Sequence, residues 1–489
     1  MAEPGENHRE EGIFSDEWRG TTIAVMAAVG IVAYNNLAVS AALPEVGNDL
    51  GNVALLPWTI SVELLTSGVA MLAAGPLIDS LGARRIFRVG AMGFIVTSVF
   101  CAAAPSMLAL VGARALQGVF AGLVMTVVLA AIGILYPPET RARVFAANST
   151  VWGVTSVAGP TAAAGLVATV GWQGVFLINV PVTLTAAYLA WNKMPAGSKD
   201  ADATRIDGRG IALVTVITAA ALATAQGSLL LVGIGLAVTL AAAALYLPHE
   251  RRSAHPVVRI SHIVSSKFRA VHLTSALVVG TALGIHAFLP VYLRGARGLS
   301  TAAAAFSIVW MSSAWSVSAF AASHLQRRFG PEPVILGAVI HAACGLAAIA
   351  VSVATEAPTP ILYACLFWTG SGIGSVSVTG VVTLQSRVEL NEMGRINAVH
   401  QFLRTVGITY GVGLAGVIIF TTVDRRTGDI EAVRDLLGGE DAAINQPVAD
   451  ALAAGYTYTV FAGLIAMGLA MTSAVALVRG RVKPVPSAA

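Results

Sequence analysis

Gly75-Pro-Leu-Ile-Asp-Ser-Leu-Gly-Ala-Arg-Arg-Ile-Phe-Arg88 is the stretch whose reading decides the fold. A long apolar run ends directly before it and another begins directly after it. Between them stand two glycines, an aspartate and three arginines. So short a connection forces the two apolar segments to lie antiparallel and side by side. Gly75 and Gly82 are expected to let the backbone turn tightly there. Asp79 is placed to accept from a helix N-terminus or from a neighbouring arginine. Arginines crowded between membrane-length segments also mark the inner side of a membrane. On its own, then, the stretch reads as a topological marker or as a working part.

Composition supports a membrane setting. Of 489 residues, 56% are hydrophobic and 11% charged, with mean hydropathy +0.75, against roughly 25% charged in soluble domains. That excludes a water-soluble fold. Apolar runs of about 20 residues recur, the length that crosses a ~30 Å hydrocarbon core at ~1.5 Å per residue. The pattern predicts an all-α polytopic protein of fourteen spans, near 20–44, 54–74, 86–104, 107–135, 142–167, 172–192, 209–226, 229–248, 268–293, 301–325, 332–353, 359–386, 395–421 and 455–478. An even number puts both termini on one side. With the 75–88 loop in the cytoplasm, the 30 Lys and Arg residues sort as 23 inside, 5 outside and 2 within spans. Both termini are therefore expected in the cytoplasm.

Several partners are read out by the same means. The pI near 9.1 comes from charge scattered through short loops, so nucleic acid is not an expected partner. Cys101, Cys344 and Cys365 fall inside spans as small packing residues, with no disulfide or metal-ligand spacing. No cofactor or metal is expected. The tail before Trp18 is acidic and lacks a basic n-region, so no cleaved signal peptide is expected.

An internal repeat organises the chain. Pro44 closes the first span and Pro290 the ninth, 246 residues apart. Gly82 finds a counterpart in Gly330 of Arg327-Arg-Phe-Gly-Pro331, 248 residues on. Two landmarks at nearly one offset indicate a six-helix unit used twice. The expected division is a tail 1–19, a bundle 20–193, an inserted helix pair with its linkers 194–266, a bundle 267–480 and a tail 481–489. A short helix near 430–437 is expected in the one long outer loop.

The 75–88 stretch resembles the signature loop of the major facilitator superfamily, written G-x-L-x-D-R-x-G-R-R. Gly75, Leu77, Asp79, Gly82, Arg84 and Arg85 match it, and Ser80 departs from it. Arg114-Ala-Leu-Gln117-Gly118 matches the R-x-x-Q-G element, and Gly159-Pro160 the centre of an antiporter element. Around the latter, Thr155 and Ala162-Ala163 replace the usual glycines. Gly171-Trp-Gln-Gly-Val-Phe-Leu-Ile-Asn-Val-Pro181, Gly370-Ser-Gly-Ile-Gly374 and Arg404-Thr-Val-Gly-Ile-Thr-Tyr-Gly411 are similar to the fourteen-helix drug/proton antiporter branch. The resemblance implies two six-helix bundles plus an inserted pair in a bacterial-type plasma membrane. Gly75, Asp79, Gly82, Arg84 and Arg85 become a gating motif. Pro160 removes a backbone donor in mid-helix and should bend its span, either for packing or to seal the exchange path.

Ionisable groups inside spans are rare and costly, so they lean functional. They are Glu63, Arg114, His286, His341, His400 and Arg404. Counting from span ends at ~1.5 Å per residue puts Asn35, Asn36, Glu63, Arg114 and His286 in one layer about 10–13 Å below the outer surface. Glu63 and Arg114 form the obvious pair. The family pattern puts an aspartate where this chain has Asn35, and a tyrosine where it has Glu63. Glu63 therefore stands as proton carrier with Arg114 and Asp79, or as a structural partner of Arg114, or as a side chain facing lipid or a cavity. Tyr34, Asn35, Asn36, Gln117, Trp152, His286 and Trp368 are the candidate cavity residues, although aromatics in such places are more often packing residues or interface anchors than ligand contacts.

The expected function is proton-coupled efflux of small hydrophobic or amphipathic compounds by alternating access. Its partners are the substrate, protons and membrane lipids, and the protein is expected to be a monomer. The alternative is a lipid or secondary-metabolite exporter of the same fold without proton coupling. An enzyme would need paired carboxylates, a metal cluster or a nucleophile–base set at one depth, and none is visible.

Overall fold

The computed structural model describes residues 12–51, 55–195, 207–223, 229–253, 256–429, 433, 436 and 444–480. Among them are sixteen α-helices: α1 (Arg19–Leu50), α2 (Leu56–Leu81), α3 (Ala83–Ala102), α4 (Met107–Leu135), α5 (Pro138–Val170), α6 (Gln173–Leu177), α7 (Asn179–Ala190), α8 (Gly208–Ala223), α9 (Leu229–Arg252), α10 (Ser261–Val264), α11 (Ser266–Gly295), α12 (Thr301–Phe329), α13 (Pro331–Ala354), α14 (Thr359–Gln385), α15 (Met393–Thr427) and α16 (Gln446–Arg479). Ten stretches among the described residues are long and apolar enough to cross a membrane. In the expected 430–437 helix only Val433 and Leu436 are described, both helical and buried. Residues 196–206 of the linker, residues 1–11 of the N-terminal tail and the tail 481–489 lie outside the described residues.

Glycine sets the sharpest corners. Gly82, at φ 84°, ends α2 and begins α3, and its N–H bonds the carbonyl of Ile78. Gly330, at φ 81°, does the same between α12 and α13. That region of backbone space strains any residue with a Cβ. The 75–85 connection is therefore a single residue, shorter than expected.

Gly75 does not belong to the turn. It lies inside α2, where a Cβ would come 3.0 Å from the Arg395 Cα and 3.0 Å from the Ala398 Cβ of α15. Its missing side chain serves a helix contact instead. Pro44 and Pro290 also fall inside helices rather than closing them, since α1 runs on to Leu50 and α11 to Gly295. Proline removes one backbone donor, and in an apolar medium a helix that stopped there would strand several more.

The helix contacts repeat. In the first half α2 and α3 pack on α4, α1 packs on α5, and α7 packs on α1 and α3. In the second, α12 and α13 pack on α14, α11 packs on α15, and α16 packs on α11 and α13. The contacts between halves exchange under the same correspondence, α2 with α15 and α5 with α12. The pair α8–α9 rests against the side of the α2·α15 seam, with Val214 and Tyr246 beside Leu72, Val399 and Phe402.

The halves meet at the end that carries Gly82. Gly75 abuts Ala398 there, and Gln385 Nε2 donates to the Leu129 carbonyl at 3.0 Å. Nearer the middle of α5 and α12, Ser316 Oγ donates to the Ser149 carbonyl at 2.9 Å.

Candidate functional site

A buried polar cluster joins α1, α2, α3, α4 and α7. At its centre Arg114 is 1% exposed, and Glu63 across from it is 2% exposed. The sequence makes this approach possible through Gly118, one turn beyond Arg114. A Cβ at Gly118 would lie 2.9 Å from the Glu63 Cα, so only glycine lets α4 come this close to α2. Arg114 Nε then donates to the Thr59 carbonyl at 3.0 Å, and Nη1 to Asn35 Oδ1 at 3.2 Å and to Gln117 Oε1. Nη2 lies 3.7 Å from Glu63 Oε2. Gln117 Nε2 donates to Ser98 Oγ at 2.9 Å, and Asn179 Nδ2 to Asn35 Oδ1 at 3.4 Å. Asn179 opens α7 after the break at Ile178 that separates it from α6. Pro181 contributes to that break, having no N–H for the Leu177 carbonyl.

The cluster is neutral as a whole, one guanidinium against one carboxylate. A charge in a membrane interior needs such pairing, and amides and carbonyls satisfy the remaining donors of Arg114. A guanidinium keeps its charge, whereas a carboxylic acid can gain and lose a proton. The cluster can therefore exist in two charge states that differ by the proton on Glu63.

The other expected layer members separate. Asn36 is half-buried with Oδ1 unpartnered, because successive residues on a helix point ~100° apart. His286, on α11, is half-buried with Nδ1 unpartnered and has no bond to the Arg114 cluster among the described residues. Tyr34 has an unpartnered hydroxyl. Trp152 packs on the core of the first half. Trp368, 41% exposed, donates from Nε1 to His341 Nδ1 at 3.3 Å, on the outer side of α13 and α14.

At the Gly82 end the arginines hold the chain that follows α7. Arg84 donates from Nε to the Met194 carbonyl at 2.9 Å and from Nη2 to the Asn192 carbonyl at 3.0 Å. Arg88 donates from Nη2 to the Trp191 carbonyl at 3.1 Å, and its guanidinium lies 4.6 Å from the Trp191 ring centre. Carbonyls at a helix C-terminus lack helical partners and favour cations. Arg85 is exposed, and the side chain of Asp79 lies outside the described residues. α5 continues through Gly159, which is buried, and through Pro160, whose side chain lies outside the described residues.

The sequence reading assigned no role to Ser98 or Asn179, polar residues at 0% exposure; Ser98 was signalled only by its place in an apolar span, Asn179 also by the Ile-Asn-x-Pro of the 171–181 stretch. It also missed a buried imidazole pair, His272 and His400, with Nδ1 atoms 3.2 Å apart. His272 Nε2 lies 2.9 Å from the His262 carbonyl, so it carries the proton and Nδ1 accepts from His400.

Comparison with known proteins is consistent with this architecture. The Multidrug transporter protein MdtP of Bacillus subtilis is 24% identical over 81% of this chain and 74% of its own length. Puromycin resistance protein pur8 of Streptomyces alboniger is 31% identical over 85% of this chain and 84% of its own. The crystal structure of a bacterial homologue of the iron transporter ferroportin, outward-facing with soaked iron, superposes at TM-score 0.64 with 13% identity, covering 94% of this chain and 99% of that one. The Major Facilitator Superfamily model matches residues 25–412. This chain, helical throughout its described elements and built from one helix pattern used twice, belongs to the Major Facilitator Superfamily.

Proposed function

We propose that this protein exports small hydrophobic or amphipathic compounds in exchange for protons, by alternating access between its two halves. Glu63 carries the reading. Every other acid in the described helices lies in the terminal two turns of its helix, so Glu63 is the carboxylate held at depth. Its partner Arg114 is satisfied by the Thr59 carbonyl, Asn35 and Gln117 as well, so the arginine keeps bonds when Glu63 takes a proton. Opening toward the outer side wets the pair, and cargo entering the cleft shifts Arg114 away from Glu63, favouring protonation. Asp79, Arg84 and Arg85 work at the cytoplasmic gate, and Gly159-Pro160 bends α5 along the exchange path. The names of the relatives, a multidrug transporter and a resistance protein, support efflux.

The topology that fits is fourteen spans in a bacterial-type plasma membrane, α6 and α7 making one of them, with both termini cytoplasmic and the protein acting as a monomer. The bundles are 20–193 and 267–480, and 194–266 is an insertion beside them. Both halves then press together at the cytoplasmic end.

Reconstitution in liposomes with and without a proton gradient tests this. Gradient-driven transport is expected in the parent protein and is lost in Glu63→Gln, with cargo binding retained. Asn35 favours one other reading, because an amide stands where the branch carries an acid and cannot move a proton. A lipid or secondary-metabolite exporter without proton coupling would transport equally under both conditions.

A further inference from the structure

Arg404 lacks what Arg114 has. It stands eleven residues into α15, in a span whose only acid lies near the far end, at Asp424. Among the described helices the one acid held at depth, Glu63, already faces Arg114. Among the described residues Arg404 makes one hydrogen bond, from Nη1 to Gln401 Oε1 of its own helix at 3.0 Å. Its Nε is buried and unpartnered. Left open is the Nε/Nη2 edge, which grips an oxyanion through two parallel bonds.

The neighbours of α15 fix the side of the helix on which Arg404 stands. Gly407 lies against the Ala276 carbonyl of α11, and Thr405 lies beside Gly68 of α2. Val399 and Phe402 are covered by the α8–α9 pair. Met393 faces Gly133 of α4, and Asn397 bonds Gln385, which reaches Leu129 of α4. At ~100° per residue Arg404 falls on the stripe of Met393 and Asn397, between the faces that meet α11 and α2. It is half-buried, about three turns in from the Gly82 end, and one turn beyond His400, which meets His272 of α11. Buried polar atoms without partners stand on three further helices of the two crossing pairs: Tyr34 Oη and Asn36 Oδ1 on α1, both amide atoms of Asn148 on α5, and His286 Nδ1 on α11. Of these groups Arg404 alone carries a full charge.

We infer that the cargo bears an anionic head, a carboxylate or sulfonate, on an apolar body, and that the Nε/Nη2 edge of Arg404 binds that head. The inference rests on the export reading above and narrows its substrate class. A guanidinium at this depth needs a counter-charge, and the described residues supply none, so the passenger completes the site. Gln401 holds the guanidinium plane in place, and Ile408, one turn on, offers the apolar wall.

The test uses 5-dimethylaminonaphthalene-1-sulfonate against its uncharged sulfonamide, with equilibrium binding to the full-length protein in detergent read by fluorescence. The parent protein is expected to bind the sulfonate at least tenfold more tightly. Arg404→Gln should remove that preference, and Arg404→Lys should keep part of it, because the charge remains while the two-pronged grip is lost. Equilibrium binding in detergent has no proton gradient across it, so its outcome is read separately from proton coupling. Equal binding of the two probes, no saturable sulfonate binding, or an unchanged preference in a folded Arg404→Gln would each overturn it.

Discussion

In the first half, Gly118 and Gly122 of α4 lie against the backbone of Glu63 and Ser67 in α2. In the second, Gly370 and Gly374 of α14 lie against Met311 and Trp315 in α12. Residues 63 and 67 stand to 311 and 315 at an offset of 248, the offset that also relates Gly82 to Gly330. The glycines stand to one another at an offset of 252. On that register Met311 occupies the place of Glu63, and Leu366, at 0% exposure, the place of Arg114. The same helix approach is thus built once around an ion pair and once around two apolar side chains. Packing does not require the charges, since the second half closes without them. Replacing a buried ion pair by apolar residues is commonly neutral or stabilising, so retention of Glu63 and Arg114 points to work other than holding α2 to α4.

The largest expected effect comes from removing one partner. Arg114→Leu leaves Glu63 buried without its counter-charge and should destabilise by about 3–5 kcal/mol, read as a lowered thermal midpoint in detergent. Giving the first half the residues of the second, Glu63→Met with Arg114→Leu, should restore stability to within about 1–2 kcal/mol of the parent while gradient-driven transport in liposomes stays absent. A double variant as unstable as the single one would show that the two contacts differ in more than chemistry. Next in size, Gly118→Ala and Gly370→Ala each press a methyl into a facing backbone and should cost about 1–3 kcal/mol apiece. Unequal losses would break the equivalence of the two contacts.

The smallest effect lies outside both repeats, at the clip between α8 and α9. Burial works against the Asp207 carboxylate, but the Gly210 N–H, His249 at 2.8 Å and Ser253 outweigh it and hold its pKa below the ordinary value. The folded pKa is lowered, so the clip contributes fully above the unfolded value near 4 and weakens as pH falls through the folded one. Thermal midpoints should show an acid-side loss that Asp207→Asn removes, with transport near neutral pH unchanged.

Much of this was legible in the sequence, and the rest was hidden for identifiable reasons. Gly82 and Gly330 announced their joints because an arginine-flanked glycine between apolar runs has few other uses. Gly75 and the two prolines misled, because composition does not separate a glycine that turns a chain from one that seats a neighbouring helix. Depth along a span followed from counting residues, which brought Asn35, Glu63 and Arg114 to one level. Direction around the helix axis did not follow, and that is why His286 and Asn36 stand apart from the cluster. The His272–His400 pair needed tertiary contact between α10, α11 and α15, which no local pattern carries.

The seat of Gly75 on α15 gives α2 a pivot. From Gly75 to Glu63 the helix is a stiff arm of ~18 Å, and to its far end one of ~29 Å. A tilt of ~10° about that bearing carries Glu63 through ~3 Å, about one hydrogen-bond length, and the far end through ~5 Å. The leverage is enough to shift Glu63 relative to α15 of the other half without breaking the helix that bears it. A methyl group at residue 75 would jam the bearing, so Gly75→Ala should slow the exchange cycle while cargo still binds.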